Sequence, residues 1–118
     1  MRAKDGVGRY GEDVATRHLV EQGFLVLDRN WRCAEGELDI VARDGDTTVF
    51  VEVKTRSSTR FGEPAEAVSP VKARRLRALA VRWLDHHENA RGRLRFDVVS
   101  VLRSRVGAAH VVHLRDAF

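Results

Sequence analysis

Two strand-like segments on either side of Asp44-Gly45 place the firmest limit on what this chain can fold into. The first, residues 36–43 (GELDIVAR), alternates in part between apolar and polar side chains. The second, residues 47–54 (TTVFVEVK), is rich in β-branched residues. An Asp-Gly pair between two such segments is typical of a tight hairpin turn. We therefore expect an antiparallel β-hairpin near the centre of the chain.

Patterns on both sides of the hairpin predict the remaining secondary structure. Apolar side chains at three- and four-residue spacing indicate a helix over residues 8–22, which Gly23 would end. After a polar loop over residues 55–69, Ser69 and Pro70 suit the N-cap and first position of a second helix. Further strands are predicted over residues 24–28, 94–102 and 110–114. The order αβββαββ indicates a single α/β domain, with a mixed central sheet of about five strands flanked by two helices.

Length and composition agree with one globular domain. The chain has 118 residues, of which 43% are hydrophobic and 32% charged, which argues against disorder. Cys33 is the single cysteine, so an intramolecular disulfide and any zinc site that needs two cysteines are excluded. The sequence contains neither a signal-peptide pattern nor an apolar stretch long enough to span a membrane. A cytoplasmic protein without membrane contact is therefore expected.

Charge is distributed unevenly along the chain. Residues 1–54 contain 8 basic and 11 acidic residues, net −3, and residues 55–118 contain 13 basic and 6 acidic residues, net +7. A basic half beside an acidic half suits a phosphate-rich partner together with a cation-binding site. The alternative is that the many arginines reflect only the base composition of the genome.

The second hairpin strand carries its charged residues on one face. Residues two apart in a strand share a face, so Glu52 and Lys54 lie on the same side as Phe50. With a two-residue turn at Asp44-Gly45, Asp39 faces Phe50 across the hairpin, whereas a four-residue loop makes Asp39 face Glu52 directly. Both registers gather one charged set on one face, and a three-residue loop would separate it. The set is Asp39, Glu37, Glu52 and Lys54.

Three carboxylates on one patch call for a cation. Like charges that face each other across strands are destabilising, and Lys54 supplies only one positive charge. Oxygen ligands suit hard divalent ions such as Mg²⁺ or Mn²⁺. The two helices can each contribute a charged residue to this patch. Glu12 lies beside the apolar stripe of the first helix, and Lys72 shares a helix face with Leu76. We expect the first helix to lay Glu12 against the same sheet face.

These residues resemble a known group of nucleases. Asp39, followed after twelve residues by Glu52-Val53-Lys54, resembles the D…ExK core of the PD-(D/E)xK nuclease superfamily. More specifically, the chain resembles the YraN family of bacterial proteins, which is similar to archaeal Holliday-junction resolvases. The resemblance runs from about residue 8 to about residue 102. Four stretches carry it: GRYGEDVA, NWRCAEGELDIVARDGDTTVFVEVKTRSS, FGEPAEAVSPVKARRLRALA and RFDVVSV.

The resemblance implies a restriction-endonuclease-like core in which Asp39 and Glu52 hold Mg²⁺ or Mn²⁺. Glu12 matches the acidic residue of the first helix and Lys54 the catalytic lysine, so the implied catalytic set is Glu12, Asp39, Glu52 and Lys54. Lys72 stands where relatives carry Gln or Lys. The sequence departs from the pattern in having Leu38, and not proline, before Asp39. Related resolvases work as dimers, so the resemblance also implies a homodimer.

Basic residues follow the ExK strand and continue into the second helix. They are Arg56 and Arg60 in the loop, and Lys72, Arg74, Arg75 and Arg77 in the helix. Such a series can follow the phosphates of a nucleic acid backbone. A helix face that is simply solvated is the alternative.

The function predicted from these features is that of a Mg²⁺- or Mn²⁺-dependent endonuclease. It would hydrolyse phosphodiester bonds of DNA, with branched DNA among its substrates. Two alternatives on the same fold stay open: a non-catalytic nucleic-acid-binding module and a protein-interaction adaptor. The enzyme is favoured because a binding module has no use for Lys54 among carboxylates.

Overall fold

A five-stranded mixed sheet with a helix packed on each face forms the body of the protein. The computed structural model describes residues 6–57, 68–87, 90 and 92–118. The strands lie in chain order, with β3 and β4 parallel and the other neighbours antiparallel. The predicted order αβββαββ and the α/β class are confirmed. The elements are α1 (Gly6–Glu21), β1 (Leu25–Cys33), β2 (Gly36–Asp44), β3 (Thr47–Arg56), α2 (Pro70–Asp85), β4 (Arg93–Leu102) and β5 (His110–Leu114).

The hairpin between β2 and β3 turns one residue later than its Asp-Gly signal indicates. Asp44 pairs with Thr47, so the two turn residues are Gly45 and Asp46. Gly45 has a φ of 62°, in the left-handed region that glycine adopts without steric cost. The expected turn at Asp44-Gly45 is therefore wrong by one position, because the residue that needs the left-handed conformation is the first and not the second of the turn.

This shift decides which residues face each other across the hairpin. The ladder continues to Ile40 opposite Val51. Asp39 follows directly beyond the last pair, on the side of Glu52, and Phe50 pairs with Val41. The register that pairs Asp39 with Phe50 is therefore wrong. The alternative register is the observed one as far as the pair Ile40 and Val51, although a two-residue turn produces it and a four-residue loop is not needed.

The two faces of the sheet are covered by different helices. Helix α1 packs on the face of the sheet that carries Val49 and Val51. The core on this side also contains Ala15, Leu19, Ile40, Ala42, Val99 and Val101. Helix α2 packs on the other face, in a core that contains Leu38, Val41, Phe50, Leu76, Leu79, Ala80, Trp83 and Phe96. Glu52 alternates with Val51 and belongs to the α2 side. The expectation that α1 lays Glu12 against that face is therefore wrong, since α1 approaches the strands from the opposite side.

Strand β1 is longer than its sequence pattern predicts. It continues beyond residues 24–28 to Cys33, and its pairing with β2 shifts between Val26 and Asp28. Trp31 pairs with Leu38 and packs against the α2-side core. Pairing with β2 supplies the backbone hydrogen bonds that local propensity alone does not predict.

The helix ends agree with their predicted signals. The Ser69 side chain accepts a hydrogen bond from the Lys72 N–H at 3.2 Å, and Pro70 follows as the first helical residue. Gly23, with a φ of 93°, follows the end of α1. Within the described part of the chain, neither helix has the combination of length and hydrophobicity required to cross a lipid bilayer.

Strand β3 extends further than predicted and takes in a residue assigned to the following loop. Its pairing with β4 continues to Arg56 opposite Leu102. Arg56 therefore lies in a strand, and its assignment to the loop is wrong. Arg60 lies outside the described residues.

A buried carboxylate ties β4 to β5 and to Asp116. Asp97 is fully buried and accepts hydrogen bonds from the Arg95 guanidinium at 2.9 and 3.0 Å, from His113 Nε2 at 2.8 Å and from the Asp116 N–H at 3.0 Å. Burial alone would raise the pKa of Asp97, but these hydrogen bonds outweigh it and lower the pKa to about 2. The network lies on the α1 side of the sheet, next to Phe24, whose ring lies beneath the Arg95 guanidinium.

Candidate active site

Strands β2 and β3 separate directly beyond the pair Ile40 and Val51, and Asp39 lies at this fork. From there, β3 stays paired with β4 alone. The backbone N–H of Val53 donates a hydrogen bond to Asp39 Oδ2 at 2.9 Å. The bond gives the Val53 N–H an acceptor in place of a backbone carbonyl of β2. It also holds the Asp39 carboxylate between the separating strands.

Glu52 is a buried acid beside Asp39. Each of the two residues is only 8% exposed. Burial raises the pKa of Glu52 to about 7, with a further increase from the negative charge of Asp39, and Lys72 offsets part of this rise. The folded protein therefore disfavours the charged form of Glu52.

Lys72 is the cation that meets this pair. Its Nζ lies 2.5 Å from Glu52 Oε2, and its side chain is 42% exposed. Helix α2 presents Lys72 to the sheet because Leu76 and Leu79, one and two turns later, are buried in the core on the same helix face. The sequence-based expectation that Lys72 points inward is confirmed.

A cavity of about 440 Å³ opens over the pair. Its walls come from the beginning of β2, the middle of β3 and the first turns of α2. Acidic and basic side chains share the lining, so an anionic ligand would meet cations on the helix side and carboxylates on the strand side. The charged lining residues are Glu35, Glu37, Asp39, Glu52, Lys72 and Arg75.

Two of these carboxylates are tied to neighbouring residues. Glu35 pairs with Arg82 at 2.8 Å, and the Cys33 thiol donates a hydrogen bond to it that lowers its pKa. Glu37 lies 3.7 Å from Arg32 Nε. The sequence placed Glu37 in the charged set but assigned neither carboxylate a partner, because Arg82 comes from α2 and Arg32 meets Glu37 across the pairing of β1 with β2.

The other two members of the predicted catalytic set lie outside the lining of this cavity. Lys54 is on β3 two residues beyond Glu52, so alternation places it on the same face of the sheet. Glu12 belongs to α1 and is only 2% exposed, and its Oε1 lies 4.0 Å from the Arg29 guanidinium. The structure thus brings Asp39, Glu52 and Lys72 together, with Lys54 two residues further along β3 and Glu12 on α1.

The arginines of α2 differ in their surroundings. Arg74 is exposed, and Arg75 lines the cavity. Arg77 instead donates a hydrogen bond to the Phe118 backbone oxygen at 2.7 Å and covers the Phe96 ring at 4.4 Å. Arg74 and Arg75 therefore remain suited to a nucleic acid backbone, whereas Arg77 already has a structural role.

These surroundings predict unequal effects of alanine substitution. Replacing both Arg74 and Arg75 should reduce the slope of log affinity for duplex DNA against log salt by about 0.9 for each lost phosphate contact. Arg77→Ala should leave the slope unchanged and lower the melting temperature, because it removes the contacts with Phe118 and Phe96. Fluorescence anisotropy and thermal melts measure both effects. An unchanged slope for the double variant would assign Arg74 and Arg75 to a solvated helix face.

Comparison with known proteins identifies the family. The model of the uncharacterised protein family UPF0102 matches residues 11–101, a range that includes Glu12, Asp39, Glu52, Lys54 and Lys72. The chain belongs to UPF0102. This is the YraN family, so the resemblance to that family is confirmed.

Individual UPF0102 relatives match almost the whole chain. A UPF0102 protein of Frankia alni is 62% identical over 118 residues, covering 100% of this chain and 98% of its own. A UPF0102 protein of Beutenbergia cavernae is 62% identical over 115 residues, and one of Streptomyces griseus is 56% identical over 116 residues, each covering 98% of both chains. The candidate site therefore lies in the part of the protein that the UPF0102 family shares.

Proposed function

We propose that this UPF0102 protein is a metal-dependent nuclease that hydrolyses phosphodiester bonds in DNA. The observation that carries the proposal is the pair of adjacent, buried carboxylates, Asp39 and Glu52, at the base of an open cavity with Lys72 against them. A buried carboxyl group whose pKa is raised by burial and by a neighbouring negative charge, as that of Glu52 is, is costly to folding, and such groups concentrate at functional sites. The D…ExK resemblance supplies the reaction class.

The donor set fits a hard divalent ion such as Mg²⁺ or Mn²⁺. Asp39 and Glu52 offer carboxylate oxygens, and a bound cation would stabilise the charged form of Glu52, which burial disfavours. Among the described residues, no group of three or more His, Cys, Asp or Glu side chains can hold a metal ion. A bound ion would therefore keep several of its waters, as Mg²⁺ commonly does.

Each residue of the site would have a distinct role. Asp39 and Glu52 would hold the ion, which when bound supplies positive charge to the phosphoryl oxygen and acidity to the attacking water. Lys54 would orient that water or stabilise the charge that develops on the phosphate. Lys72, whose side chain is 42% exposed, would bind a neighbouring phosphate oxygen once the ion has taken over the charge of Glu52.

A cleavage assay tests the proposal. Purified protein is incubated with single-stranded, duplex, flapped and four-way DNA, with Mg²⁺, with Mn²⁺ or with a chelator. Cleavage should require the metal, and Asp39→Asn, Glu52→Gln and Lys54→Met should each lower the rate on the order of 100-fold or more. The exposed Glu21 provides a matched control, since Glu21→Gln removes a carboxylate outside the cavity. Equal cutting by wild type and Lys54→Met would indicate a contaminating nuclease and refute the proposed nuclease activity.

A non-catalytic nucleic-acid-binding module is the second candidate. The observation in its favour is that Lys72 already contacts Glu52, so the pair is partly compensated without any ion. This module would bind DNA in the presence of chelator and would leave it uncut under every condition of the same assay.

A homodimer and a cytoplasmic location belong to the same proposal. The homodimer comes from the resemblance to resolvases, and sedimentation at several protein concentrations tests it. The location comes from the single cysteine, Cys33, which is a free thiol in the structure.

A further inference from the structure

Helix α1 lies directly against strand β3 at Gly11. Gly11 is buried, on the helix face that also carries the buried residues Ala15 and Leu19. A Cβ at Gly11 would overlap Thr55 Oγ1 and would lie 2.7 and 2.8 Å from Thr55 Cβ and Cγ2. These two distances are well below the optimal separation of about 3.5–4.0 Å between carbon atoms. The helix therefore comes this close to β3 only because residue 11 has no side chain.

The contact between Gly11 and Thr55 lies next to the two members of the predicted catalytic set that are outside the cavity lining. Glu12 follows Gly11 in α1, and Lys54 precedes Thr55 in β3. Thr55 points towards α1, so alternation places Lys54 on the opposite face of the sheet, which is the face of Glu52. Consecutive Cα atoms are about 3.8 Å apart and are joined by a planar peptide, so a displacement of Thr55 also moves Lys54.

The end of β3 that carries Lys54 depends on α1 for its position perpendicular to the sheet. Beyond the fork, β3 is paired with β4, and on the edge that β2 has left, the Val53 N–H is bound by the Asp39 carboxylate. These hydrogen bonds lie close to the plane of the sheet and fix the strand within it. Movement out of that plane towards α1 is limited where Thr55 meets Gly11. The height of Lys54 relative to the carboxyl pair therefore depends on this contact.

We propose that Gly11 is a positioning residue of the nuclease. Its missing side chain lets α1 support Thr55. This support places Lys54 where it can act on a phosphate bound beside Asp39 and Glu52. The inference rests on the proposed function and concerns a residue that acts through β3, without contact to the metal or the DNA. Misplacing a catalytic group by about 1 Å can lower a rate about 100-fold, so a Cβ at Gly11 should affect the chemical step. A glycine needed only for packing would affect stability alone.

The cleavage assay with Gly11→Ala tests this role, and Gly6→Ala is the matched control. Gly6 belongs to the same helix, and a Cβ there would come within 4 Å of no atom in the described ranges. We expect Gly11→Ala to lower kcat at least tenfold and to leave KM within twofold, because the residues proposed to bind DNA stay in place. Gly6→Ala should change neither value more than twofold. Mn²⁺ should still raise the melting temperature of Gly11→Ala, since Asp39 and Glu52 are unchanged. A lower melting temperature with kcat unchanged would assign Gly11 to packing and overturn the proposal.

Removing the side chain that faces Gly11 tests whether the effect passes through Thr55. Thr55→Gly deletes the three atoms that a Cβ at Gly11 would meet, and it leaves β3 without this support, so it should lower kcat severalfold. In Gly11→Ala/Thr55→Gly the added Cβ occupies the vacated space, so the double variant should have a higher kcat than either single variant. The increase over Thr55→Gly decides the test even if Gly11→Ala alone does not fold.

The outcomes separate this inference from the proposed function. A double variant that is no faster than Thr55→Gly, or equal losses of kcat in Gly11→Ala and Gly6→Ala, would overturn the positioning role. Cutting by Gly11→Ala at the wild-type rate would do the same and would leave the nuclease standing. A wild type that cuts no DNA in the presence of metal would instead refute the nuclease and the positioning role together.

Discussion

Glu52→Gln is expected to stabilise the metal-free protein at pH 8 and to abolish its stabilisation by Mn²⁺. The folded protein raises the pKa of Glu52 from 4.5 to about 7, so folding favours the protonated acid. Stability from this group is therefore greatest below pH 4.5 and is lost as the pH rises through 7. The full difference corresponds to at most about 3 kcal/mol of unfolding free energy, which the neutral glutamine recovers.

The effect of the substitution should follow the pH. At pH 4, Glu52 is protonated in both folded and unfolded chains, so Glu52→Gln should gain little. At pH 8, the gain should reach its maximum. Asp39→Asn should act in the same direction by something like 1 kcal/mol, because it removes the neighbouring charge and keeps an oxygen for the Val53 N–H.

Mn²⁺ should stabilise the wild type and leave the carboxylate variants unchanged. An ion at a hundredfold its Kd stabilises the folded state by about 2.7 kcal/mol, provided that the carboxylates bind it. Wild type should therefore melt at a higher temperature with Mn²⁺, and Glu52→Gln and Asp39→Asn should not respond. Lys72→Met is the informative companion, since removing the cation beside Glu52 should destabilise the metal-free protein at pH 8. If both carboxylate substitutions destabilise it and the metal shifts no melt, the two residues do not form a metal site.

Asp97→Ala is expected to cost about 3–5 kcal/mol of unfolding free energy at pH 7. The substitution leaves the Arg95 guanidinium, His113 and the Asp116 N–H without the acceptor that all three share. Asp97 is fully buried, so water cannot replace it without local opening. Urea titrations of wild type and variant measure the loss directly.

The pH dependence of wild-type stability gives a second measure of what the Asp97 network contributes. The pKa of Asp97 falls from 3.8 to about 2 on folding, so its contribution is complete above pH 3.8 and is lost as the pH falls through 2. This amounts to about 2 kcal/mol. The exposed Asp116 provides the control, because Asp116→Asn keeps the backbone donor and should change stability by less than about 0.5 kcal/mol. An Asp97→Ala protein as stable as this control would show that the network contributes nothing.

Local patterns in the sequence were sufficient for the order of the elements and for part of the site. Strand alternation places Glu52 and Lys54 on one face whatever the rest of the chain does, because successive side chains point to opposite sides. The signals at Gly23, Ser69 and Pro70 concern the backbone of a few neighbouring residues, and all three agree with the structure. Lys72 could be assigned an inward direction because its helix face also carries Leu76.

Tertiary structure decided the features that depend on distant segments. The pairing of β4 with β3 carries the strand on to Arg56, a residue that its polar surroundings assign to a loop. Both helices are amphipathic, and neither pattern says which face of the sheet its apolar stripe will cover, so only packing could set Glu12 on the side away from Glu52.

The protonation state of the site could likewise not be predicted from the sequence. Periodicity predicted that Asp39 and Glu52 share a face. The pKa of Glu52, however, depends on its burial and on its contact with Lys72, and the position of α2 relative to the sheet cannot be predicted from local sequence. The Val53 N–H that holds Asp39 is available only because β2 leaves β3 at that point. The sequence by itself thus determined which residue types meet on the sheet, whereas their distances and protonation were decided by long-range packing, because electrostatic energies depend on burial and on separations of a few ångströms.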